Sequence, residues 1–499
     1  MIVFRKVQKK HNYHFEEVSM KLIYQVEDKP KFPQLIVFAI QQLLAIMTAT
    51  LVVPVIINGG VDSAIANGEI SWEFTQRMSP AAALFGAGVG TLIYLLFTKK
   101  KSPVFLGSSF AFLGSMASAF AGAATMAVGY LGLILGAVMA GLVYVVIAII
   151  VKSCGTSWIE RLMPAVVIGP TVAIIGLSLA GNAVGDLTNG SEPKLALLCG
   201  LVTLAVTMIA SVYGKKSGKL IPFIYGILAG YAFALILTIC GNISDTEEMK
   251  LLSTDSFKAL LVDDKVAFKT FFSVPDFTFL SAKGAFDAFE YSYLLTIFVA
   301  YAPVAFVVFA EHIADHMNIS SIIERNLLEE PGLHRTLLGD GVGSMAGAFF
   351  GGCPNTTYGE SIGCVAITKN ASVVSIFAAA IGAIVISFVS PFIAFVNSIP
   401  SCVMGGVCMA LYGFIAVSGL KMIQKVDLNE NKNLFVVSVI LIAGVGGLSV
   451  SFGKVTITEV ACALILGILT NLLLKGAKNT ETVEEVAAVE EVAAEDKTE

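Results

Sequence analysis

The chain has 499 residues, of which 56% are hydrophobic and only 14% are charged. A soluble globular domain carries about 25% charged residues, so this composition excludes a soluble protein and predicts a polytopic membrane protein that contacts the lipid bilayer. The formal net charge of −5 identifies no class of partner, because the distribution of the charges matters more than their sum.

The N-terminal stretch 1–33 is polar and basic and is predicted to lie in the cytoplasm. Met20 is also a plausible start, so we expect residues 1–19 to be dispensable. The first apolar run has no small-residue cleavage site behind it, and no cleavable signal peptide is predicted. The last stretch, 476–499, is acidic and is expected to form a cytoplasmic tail.

Fourteen apolar segments lie between these ends, seven on each side of a polar loop at 241–289 that is predicted to be extracytoplasmic. They span residues 35–58, 80–98, 104–124, 128–151, 163–181, 195–213, 219–240, 291–317, 336–352, 358–368, 372–396, 401–420, 433–450 and 456–474. The eight cysteines stand singly, mostly within apolar runs, and form no C-x-x-C pair or cluster with histidine. This pattern favours buried thiols and predicts no metal site, no disulfide framework and no cofactor.

The basic residues test this count of segments, because cytoplasmic loops of membrane proteins are enriched in lysine and arginine. Fourteen spans with both termini in the cytoplasm place most of the basic residues in inner loops. A twelve-span alternative that omits 104–124 and 358–368 disrupts the regular alternation of basic inner loops with outer loops that carry few basic residues. Seven is an odd number, so the second repeat, 290–475, enters the membrane inverted relative to the first, 34–240. We therefore predict an all-α membrane protein with a 7+7 inverted repeat.

The third segment of each half is interrupted by glycine and hydroxyl residues. These interruptions are Leu-Gly-Ser-Ser-Phe-Ala-Phe-Leu-Gly at 106–114 and Asn-Thr-Thr-Tyr-Gly-Glu-Ser-Ile-Gly at 355–363. Non-helical backbone at membrane depth is tolerated only where it is buried in protein or lines a cavity. Matching broken helices in two inverted repeats are typical of the substrate site of a secondary transporter. We therefore expect the site between these two segments.

Few ionisable groups lie within the apolar segments, and a charge at membrane depth costs at least about 2.5–3.5 kcal/mol, which makes such groups functional candidates. Glu311 and Asp315 are four residues apart and share one helix face, although they could simply form the polar inner end of the eighth segment. Glu360 follows Gly359, where backbone can approach a ligand, although helix capping is an alternative explanation. Asp340 is interpreted as a charge near the start of a helix that stabilises the helix dipole.

These groups suit a neutral planar ligand with both N–H donors and C=O acceptors. Carboxylates would accept from the N–H groups, and exposed backbone amides at the broken segments would donate to the carbonyls. No arginine or lysine is seen at depth, so an anionic substrate would lack a counter-charge. Uracil and the oxidised purines both fit this description. Burial favours the neutral form of a carboxyl group, so Glu311 could exchange a proton as the cavity alternates.

At these residues the sequence resembles the nucleobase–ascorbate transporter family, and most closely its bacterial uracil:proton symporters. The resemblance extends from about residue 34 to 475. It rests on Gly-Ser-Ser-Phe-Ala-Phe at 107–112, Ala-Glu-His-Ile at 310–313, Glu-Pro-Gly-Leu-His-Arg at 330–335, Pro-Asn-Thr-Thr-Tyr-Gly-Glu at 354–360, and Glu-Ser-Ile-Gly-Cys-Val-Ala-Ile-Thr-Lys at 360–369.

The resemblance implies a core domain of segments 1–4 and 8–11 and a gate domain of segments 5–7 and 12–14, with short extended strands in segments 3 and 10. It implies that Glu311 and Glu360 accept hydrogen bonds from the N–H groups of a pyrimidine, and that the backbone N–H groups of Phe110 and Gly359 donate to its carbonyls. Positions that match pocket-lining residues of the family are Ala49, Tyr358 and Tyr412. A homodimer in the bacterial cytoplasmic membrane, importing uracil with a proton by alternating access, is expected.

Three positions depart from the family pattern. Ser361 replaces an asparagine, the pair Gln41-Gln42 replaces Gln-His, and Asp315 stands where relatives often have histidine. Proton coupling is therefore assigned to Glu311, with Asp315 as its expected partner. The alternatives are a xanthine or urate permease of the same family, and an anion carrier or channel on the same fold. A membrane enzyme is disfavoured because no nucleophile motif is present, and no nucleic-acid partner is expected.

Overall fold

The computed structural model describes residues 22–188, 192–261, 265–452 and 455–476, and the fold is reported for these parts of the chain. The expectations for residues 1–19 and for the acidic tail beyond residue 476 lie outside the described residues.

The first half of the chain, up to the polar loop, is helical apart from one short strand. Its elements are α1 (Phe32–Ala66), α2 (Pro80–Phe97), β1 (Leu106–Ser108), a 3-10 turn (Phe110–Phe112), α3 (Leu113–Ala121), α4 (Met126–Cys154), α5 (Ser157–Leu162), α6 (Ala165–Ser178), α7 (Ala180–Leu187), α8 (Pro193–Tyr213), α9 (Lys216–Leu220) and α10 (Pro222–Ser244).

The polar loop contains only short helices, and the second half then repeats the pattern of helices around a short strand. The elements are α11 (Asp255–Lys258), α12 (Phe268–Phe271), α13 (Thr278–Ser281), α14 (Tyr291–Ile323), α15 (Leu333–Gly351), β2 (Asn355–Thr357), α16 (Gly359–Thr368), α17 (Val373–Ile386), α18 (Ser390–Asn397), α19 (Ser401–Ile423), α20 (Asn431–Val445), β3 (Val450–Phe452), β4 (Val455–Ile457) and α21 (Glu459–Leu473).

Eight helical stretches among the described residues are long and apolar enough to cross a membrane. They are α1, α2, α4, α6 continued by α7, α8, α10, α14 and α19. Shorter apolar helices occupy 110–121, 373–386, 431–445 and 459–473. The remaining two predicted segments coincide with α15 and the ten-residue α16. The chain is therefore a mostly helical, multi-pass membrane protein.

Helix starts and ends follow local sequence signals. Helices α1, α2, α8 and α10 carry proline in their first positions, where the missing N–H has no intrahelical partner to lose. The N-cap hydroxyls of Ser79 and Thr125 each accept a hydrogen bond from a first-turn N–H at 3.3 Å. Helix α15 ends at Gly351, and the following cap residue Gly352 has a φ of 74°, which glycine adopts at no steric cost.

The helices pack in two sets. In the first set α15 packs against α2 and α4, α17 packs against α1 and α2, and α14 packs against α4. In the second set α19 packs against α6, α7 and α8, α10 packs against α8, and α20 and α21 pack against α6. Helix α14 also contacts α6 and α21, so it lies where the two sets meet.

Glycines bring neighbouring backbones into close contact in both sets. A Cβ on Gly86 of α2 would lie 2.6 Å from the carbonyl oxygen of Gly347 in α15, and a Cβ on Gly90 would lie 2.8 Å from that of Gly343. Helices α6 and α19 meet in the same way at Gly169 and Gly419. Small residues are what allow membrane helices to approach closely, because lipid supplies no hydrophobic force between them.

We expect Gly86→Ala to lower the free energy of unfolding by about 1–3 kcal/mol, because the added methyl group overpacks the contact between α2 and α15. Gly181→Ala in α7 is the matched control, since a Cβ there meets nothing within 4 Å. The melting temperature in detergent micelles measures both changes. Equal melting temperatures for the two variants would contradict the close contact.

Candidate functional site

The two interrupted segments meet as a pair of antiparallel strands. Strands β1 and β2 pair in the register Leu106 with Thr357, Gly107 with Thr356 and Ser108 with Asn355. The pairing continues beyond the strands, because Ser109 N donates to Pro354 O at 2.9 Å and Tyr358 N donates to Phe105 O at 3.2 Å. The strand pair thus satisfies buried backbone groups that no helix could satisfy here.

Side chains fix this crossing in place. The Tyr358 hydroxyl donates to Ser108 O at 2.6 Å, and its ring occupies the space that a Cβ on Gly107 would need. The Thr91 hydroxyl oxygen of α2 accepts from Leu106 N at 2.9 Å. Asn355 Nδ2 donates to Gly86 O at 3.1 Å, which ties β2 to the same helix.

A helix starts directly after each strand, and the two starts lie beside each other. The 3-10 turn that leads into α3 begins at Phe110, and α16 begins at Gly359. Neither start has a side-chain cap. The first N–H groups of a helix have no intrahelical acceptor and carry a partial positive charge, so both ends are suited to an oxygen atom of a ligand.

Two of the residues that depart from the family pattern contact each other. Ser361 Oγ accepts from Gln42 Nε2 and also from Phe105 N at 3.0 Å, and all three groups are buried. The short serine side chain therefore links α1, the entry to β1 and the first turn of α16. Gln41 has a buried Oε1 atom for which the described residues supply no hydrogen-bond partner.

A cavity of about 510 Å³ lies against the start of α16. Glu311 and Asp315 of α14 and Gly359 and Glu360 of α16 line it. An adjoining space of about 30 Å³ shares Glu311, Gly359 and Glu360 and adds Phe110 and Tyr358. The opposite wall comes from the second set of helices, through Val172, Phe223, Phe414 and Ser418. The cavity therefore lies between the two sets of helices.

The three carboxyl groups of this cavity are half-buried. Asp315 Oδ2 accepts a hydrogen bond from the Thr357 hydroxyl of β2 at 2.7 Å, so the strand crossing reaches the carboxyl group on α14. Thr357 is not among the residues that the sequence predicts for the site. Its position directly before the Tyr-Gly-Glu motif is the only signal that could have indicated it.

The other predicted pocket residues are buried nearby. Tyr412 of α19 packs edge-on against Phe110, with ring centroids 5.8 Å apart. Ala49 of α1 is buried one turn after Ala45, and it is Ala45 that lines the cavity. The structure thus brings Glu311, Asp315, Gly359 and Glu360 to the main cavity, Phe110 and Tyr358 to its extension, and Ala49 and Tyr412 to the surrounding packing.

Two lysines also line the cavity, contrary to the expectation that the pocket contains no basic group. Lys219 at the end of α9 and Lys421 near the end of α19 are both exposed. Each lies at the end of an apolar segment, where the sequence alone does not show whether the side chain turns towards the cavity or towards water.

Asp340 does not stabilise a helix start as the sequence analysis predicted. It lies in the third turn of α15, beyond the reach of the helix terminus, and is completely buried. Its Oδ2 lies 2.8 Å from Nδ1 of the equally buried His312, and Nε2 of His312 lies 3.0 Å from the Thr336 hydroxyl. Because His312 follows Glu311, this pair fixes the rotation of α14 beside the cavity.

A second buried histidine continues this polar layer. His316 Nδ1 donates to His312 O at 2.8 Å, and its Nε2 lies 2.7 Å from the Tyr94 hydroxyl. Tyr94 is in turn 2.7 Å from the Ser102 hydroxyl. Among the described residues, no three histidine, cysteine or acidic side chains form a group that could hold a metal ion.

Comparison with known proteins identifies the family. Residues 33–452 match the model of a family described as the permease family. The chain belongs to this permease family. It is therefore a membrane transporter rather than an enzyme, as the resemblance in the sequence predicted.

Curated relatives agree over nearly the whole chain. A uracil permease of Bacillus caldolyticus is 38% identical, over 91% of this chain and 95% of the relative. A uracil permease of Bacillus subtilis is 37% identical, over 91% of this chain and 96% of the relative. A uracil permease of Escherichia coli strain K12 is 34% identical, over 90% of this chain and 93% of the relative.

Solved structures with a similar fold have little sequence in common with this chain. The transmembrane domain of the cyanobacterial bicarbonate transporter BicA aligns with a TM-score of 0.53 at 13% identity, over 90% of this chain and all of that domain. Murine Slc26a9, an anion transporter in an inward-facing state, aligns with a TM-score of 0.58 at 9% identity, over 95% of this chain and 74% of that one. At these identities the comparison concerns the fold alone.

We expect Asp340→Ala to destabilise the protein by about 1–3 kcal/mol, because it leaves the buried Nδ1 of His312 without its hydrogen-bond partner. Asp62→Ala is the matched control, since it removes an exposed pair with Arg77 that is worth no more than about 1 kcal/mol. Thermal unfolding in detergent measures both. A similar loss for the two variants would contradict the pairing of Asp340 with His312.

Proposed function

We propose that this protein imports uracil across the bacterial cytoplasmic membrane together with a proton, by alternating access. The observation that carries the proposal is that Glu311 and Glu360 line one cavity together with the uncapped helix start at Gly359. The uncapped start at Phe110 lies on the adjoining space. This arrangement offers acceptors and donors to one small planar molecule.

Uracil complements these groups because it has two N–H donors and two carbonyl acceptors. Glu311 and Glu360 accept from its N–H groups, and the backbone N–H groups of Phe110 and Gly359 donate to its carbonyls. Tyr358 and Ala49 shape the pocket beside them, and Tyr412 supports Phe110 from the other set of helices. A pocket built from hydrogen-bonding groups discriminates strongly against analogues that leave one of these groups unpaired.

Uracil is chosen over xanthine and urate because the curated relatives that cover most of this chain are described as uracil permeases.

An anion carrier is the second candidate. Its supporting observations are the two lysines on the cavity wall and the fold shared with a bicarbonate transporter and an anion transporter. Three carboxyl groups on the same cavity oppose an anionic substrate.

Proton coupling is assigned to Glu311 with Asp315. The two carboxyl groups stand one turn apart on α14 and line the same cavity. Asp315 is held by the Thr357 hydroxyl of β2, the strand directly before the half-helix that carries Glu360. A change in the protonation of Glu311 or Asp315 can thus act, through this hydrogen bond, on β2, the strand that leads into the substrate-binding half-helix.

Alternating access requires two bodies that move against each other around the site. We assign the first set of helices to a core domain and the second set to a gate domain, as parts of a fourteen-span, 7+7 inverted repeat. The support is that the cavity wall is shared between the two sets, whereas both half-helices and the strand crossing belong to the first. Cytoplasmic termini and a homodimer complete the proposal.

We expect Glu360→Gln to abolish uracil binding, because an amide presents an N–H where the ligand needs an acceptor. Glu73→Gln makes the same chemical change on an exposed loop and should bind uracil like the wild type. Equilibrium binding of radiolabelled uracil, with xanthine and bicarbonate as competitors, is the measurement. Unchanged affinity in Glu360→Gln would remove this residue from the pocket, and competition by bicarbonate would favour the anion carrier.

We expect Glu311→Gln to retain some binding or exchange of uracil but to lose accumulation driven by a pH gradient, because an amide cannot carry the coupled proton. Uptake and counterflow in proteoliposomes, with and without an imposed pH gradient, separate the two properties. Glu73→Gln again serves as the control. Full pH-driven accumulation in Glu311→Gln would assign the coupling to another group.

A further inference from the structure

Residues 22–31, which we call the N-terminal strap, run along the turn that joins α16 to α17. The strap and the turn pair through their backbones, and Tyr24 and Asn370 form a parallel bridge. The hydrogen bonds run from Ile23 N to Lys369 O at 2.8 Å, from Ala371 N to Tyr24 O at 2.9 Å, and from Val373 N to Val26 O at 3.1 Å. The strap is therefore an ordered part of the fold rather than a loose leader to α1.

Side chains strengthen this attachment. Val26 is only 1% exposed and belongs to the main hydrophobic core. The Ser372 hydroxyl donates to Asp28 O at 2.6 Å, and the Tyr24 hydroxyl donates to Gln34 Oε1 of α1 at 2.6 Å. One buried apolar anchor and several hydrogen bonds thus hold the strap to both α1 and the α16–α17 turn.

An ion pair connects the strap to a third element. Arg325, just after α14, donates to Glu27 Oε1 at 2.5 Å. The hydrogen bond from Arg325 lowers the pKa of Glu27 below its ordinary value, so the pair stays charged above that value and is lost only as the pH falls through the lowered pKa. Both side chains are about half exposed, so this ion pair helps to fix the position of the strap beside α14 but contributes little to stability.

The strap is important because it holds one end of α16, the helix that carries Glu360. Helix α16 has ten residues and is roughly 15 Å long, so it cannot reach across a bilayer. Its first turn carries Glu360 at the cavity, and its other end stops at Lys369 in the left-handed conformation, with φ of 57°. The strand crossing holds the first end, and the strap holds the second.

We infer that the N-terminal strap is a positioning element for substrate binding: it fixes α16, and with it Glu360, relative to Glu311 on α14, and it stays closed throughout the transport cycle. This inference rests on the proposed function of the cavity. It assigns a role in substrate affinity to residues that lie outside the transmembrane helices and are not among those that line the cavity.

The first test weakens the strap and measures uptake of radiolabelled uracil in proteoliposomes. Ile23→Pro removes the N–H that donates to Lys369 O, and Val26→Asp places a charge at the buried anchor. Each should open the whole paired stretch from Ile23 to Val26, and the loss of its three backbone hydrogen bonds should raise the KM for uracil by about tenfold or more. Vmax per folded molecule should change far less.

Matched controls accompany these variants. Val26→Ile keeps the apolar anchor, and Lys29→Pro changes the strap outside the paired residues, so both should keep the wild-type KM. Glu27→Gln should change the KM by less than about fivefold, because exposed ion pairs contribute about 0–1 kcal/mol. A lower Vmax with an unchanged KM in Ile23→Pro and Val26→Asp would mean only less folded protein and would overturn the inference.

The second test does not depend on uracil. Hydrogen–deuterium exchange of the amides in 359–373 should speed up in Ile23→Pro and stay at the wild-type rate in Lys29→Pro. Unchanged exchange in Ile23→Pro would show that the strap does not hold α16. If the wild-type protein takes up no uracil, the proposed function fails, and this exchange measurement alone decides whether the strap holds the half-helix.

The third test asks whether the strap opens during transport. Tyr24→Cys combined with Asn370→Cys places two thiols on bridge partners, and an oxidant such as copper phenanthroline joins them. The cross-linked protein should take up uracil as fast as the reduced protein and as each variant that carries only one of the two new cysteines. Uptake that is blocked by the cross-link and restored by a reductant would identify a moving lid and overturn the inference.

Discussion

The antiparallel pairing of β1 with β2 is the constraint on which the rest of the molecule depends. Non-helical backbone inside a membrane needs hydrogen-bond partners outside its own segment. Here the backbones of the two interrupted segments provide these partners for each other. Neither broken segment is tenable alone. The same pairing sets two helix starts side by side and aligns Thr357 with Asp315, so a requirement of backbone chemistry also generates the polar side of the cavity.

Close glycine contacts between α2 and α15 support the crossing of β1 and β2. Asn355 of β2 binds the carbonyl oxygen of Gly86, whose missing Cβ lets α2 meet α15. Asp340 and His312 join α15 to α14 a short distance away. The carboxyl groups of the site thus stand on a layer in which backbones touch and the buried Asp340 and His312 are paired. The opposite wall, formed by α6, α10 and α19, does not take part in this network.

The positions of the helices and of the interruptions could be predicted from the sequence, because apolar length and clusters of glycine and hydroxyl residues report directly on burial in a membrane. The shared cavity of Glu311 and Glu360 could be expected because isolated charges in apolar segments need a common polar site. The partner of Asp340 could not, since it depends on how α14 and α15 rotate against each other. The lysines of the cavity wall were missed because they lie at segment ends, where side-chain direction depends on tertiary packing.

The contact between Gln42 and Ser361 has an evolutionary consequence. The two positions lie 319 residues apart, on helices α1 and α16, yet one amide and one hydroxyl share a single buried hydrogen bond. The effect of exchanging either residue therefore depends on the identity of the other, which is epistasis in the strict sense. Replacing Ser361 by the larger asparagine should therefore need a compensating change at position 42 of α1, so substitutions at these two positions are expected to act as a pair.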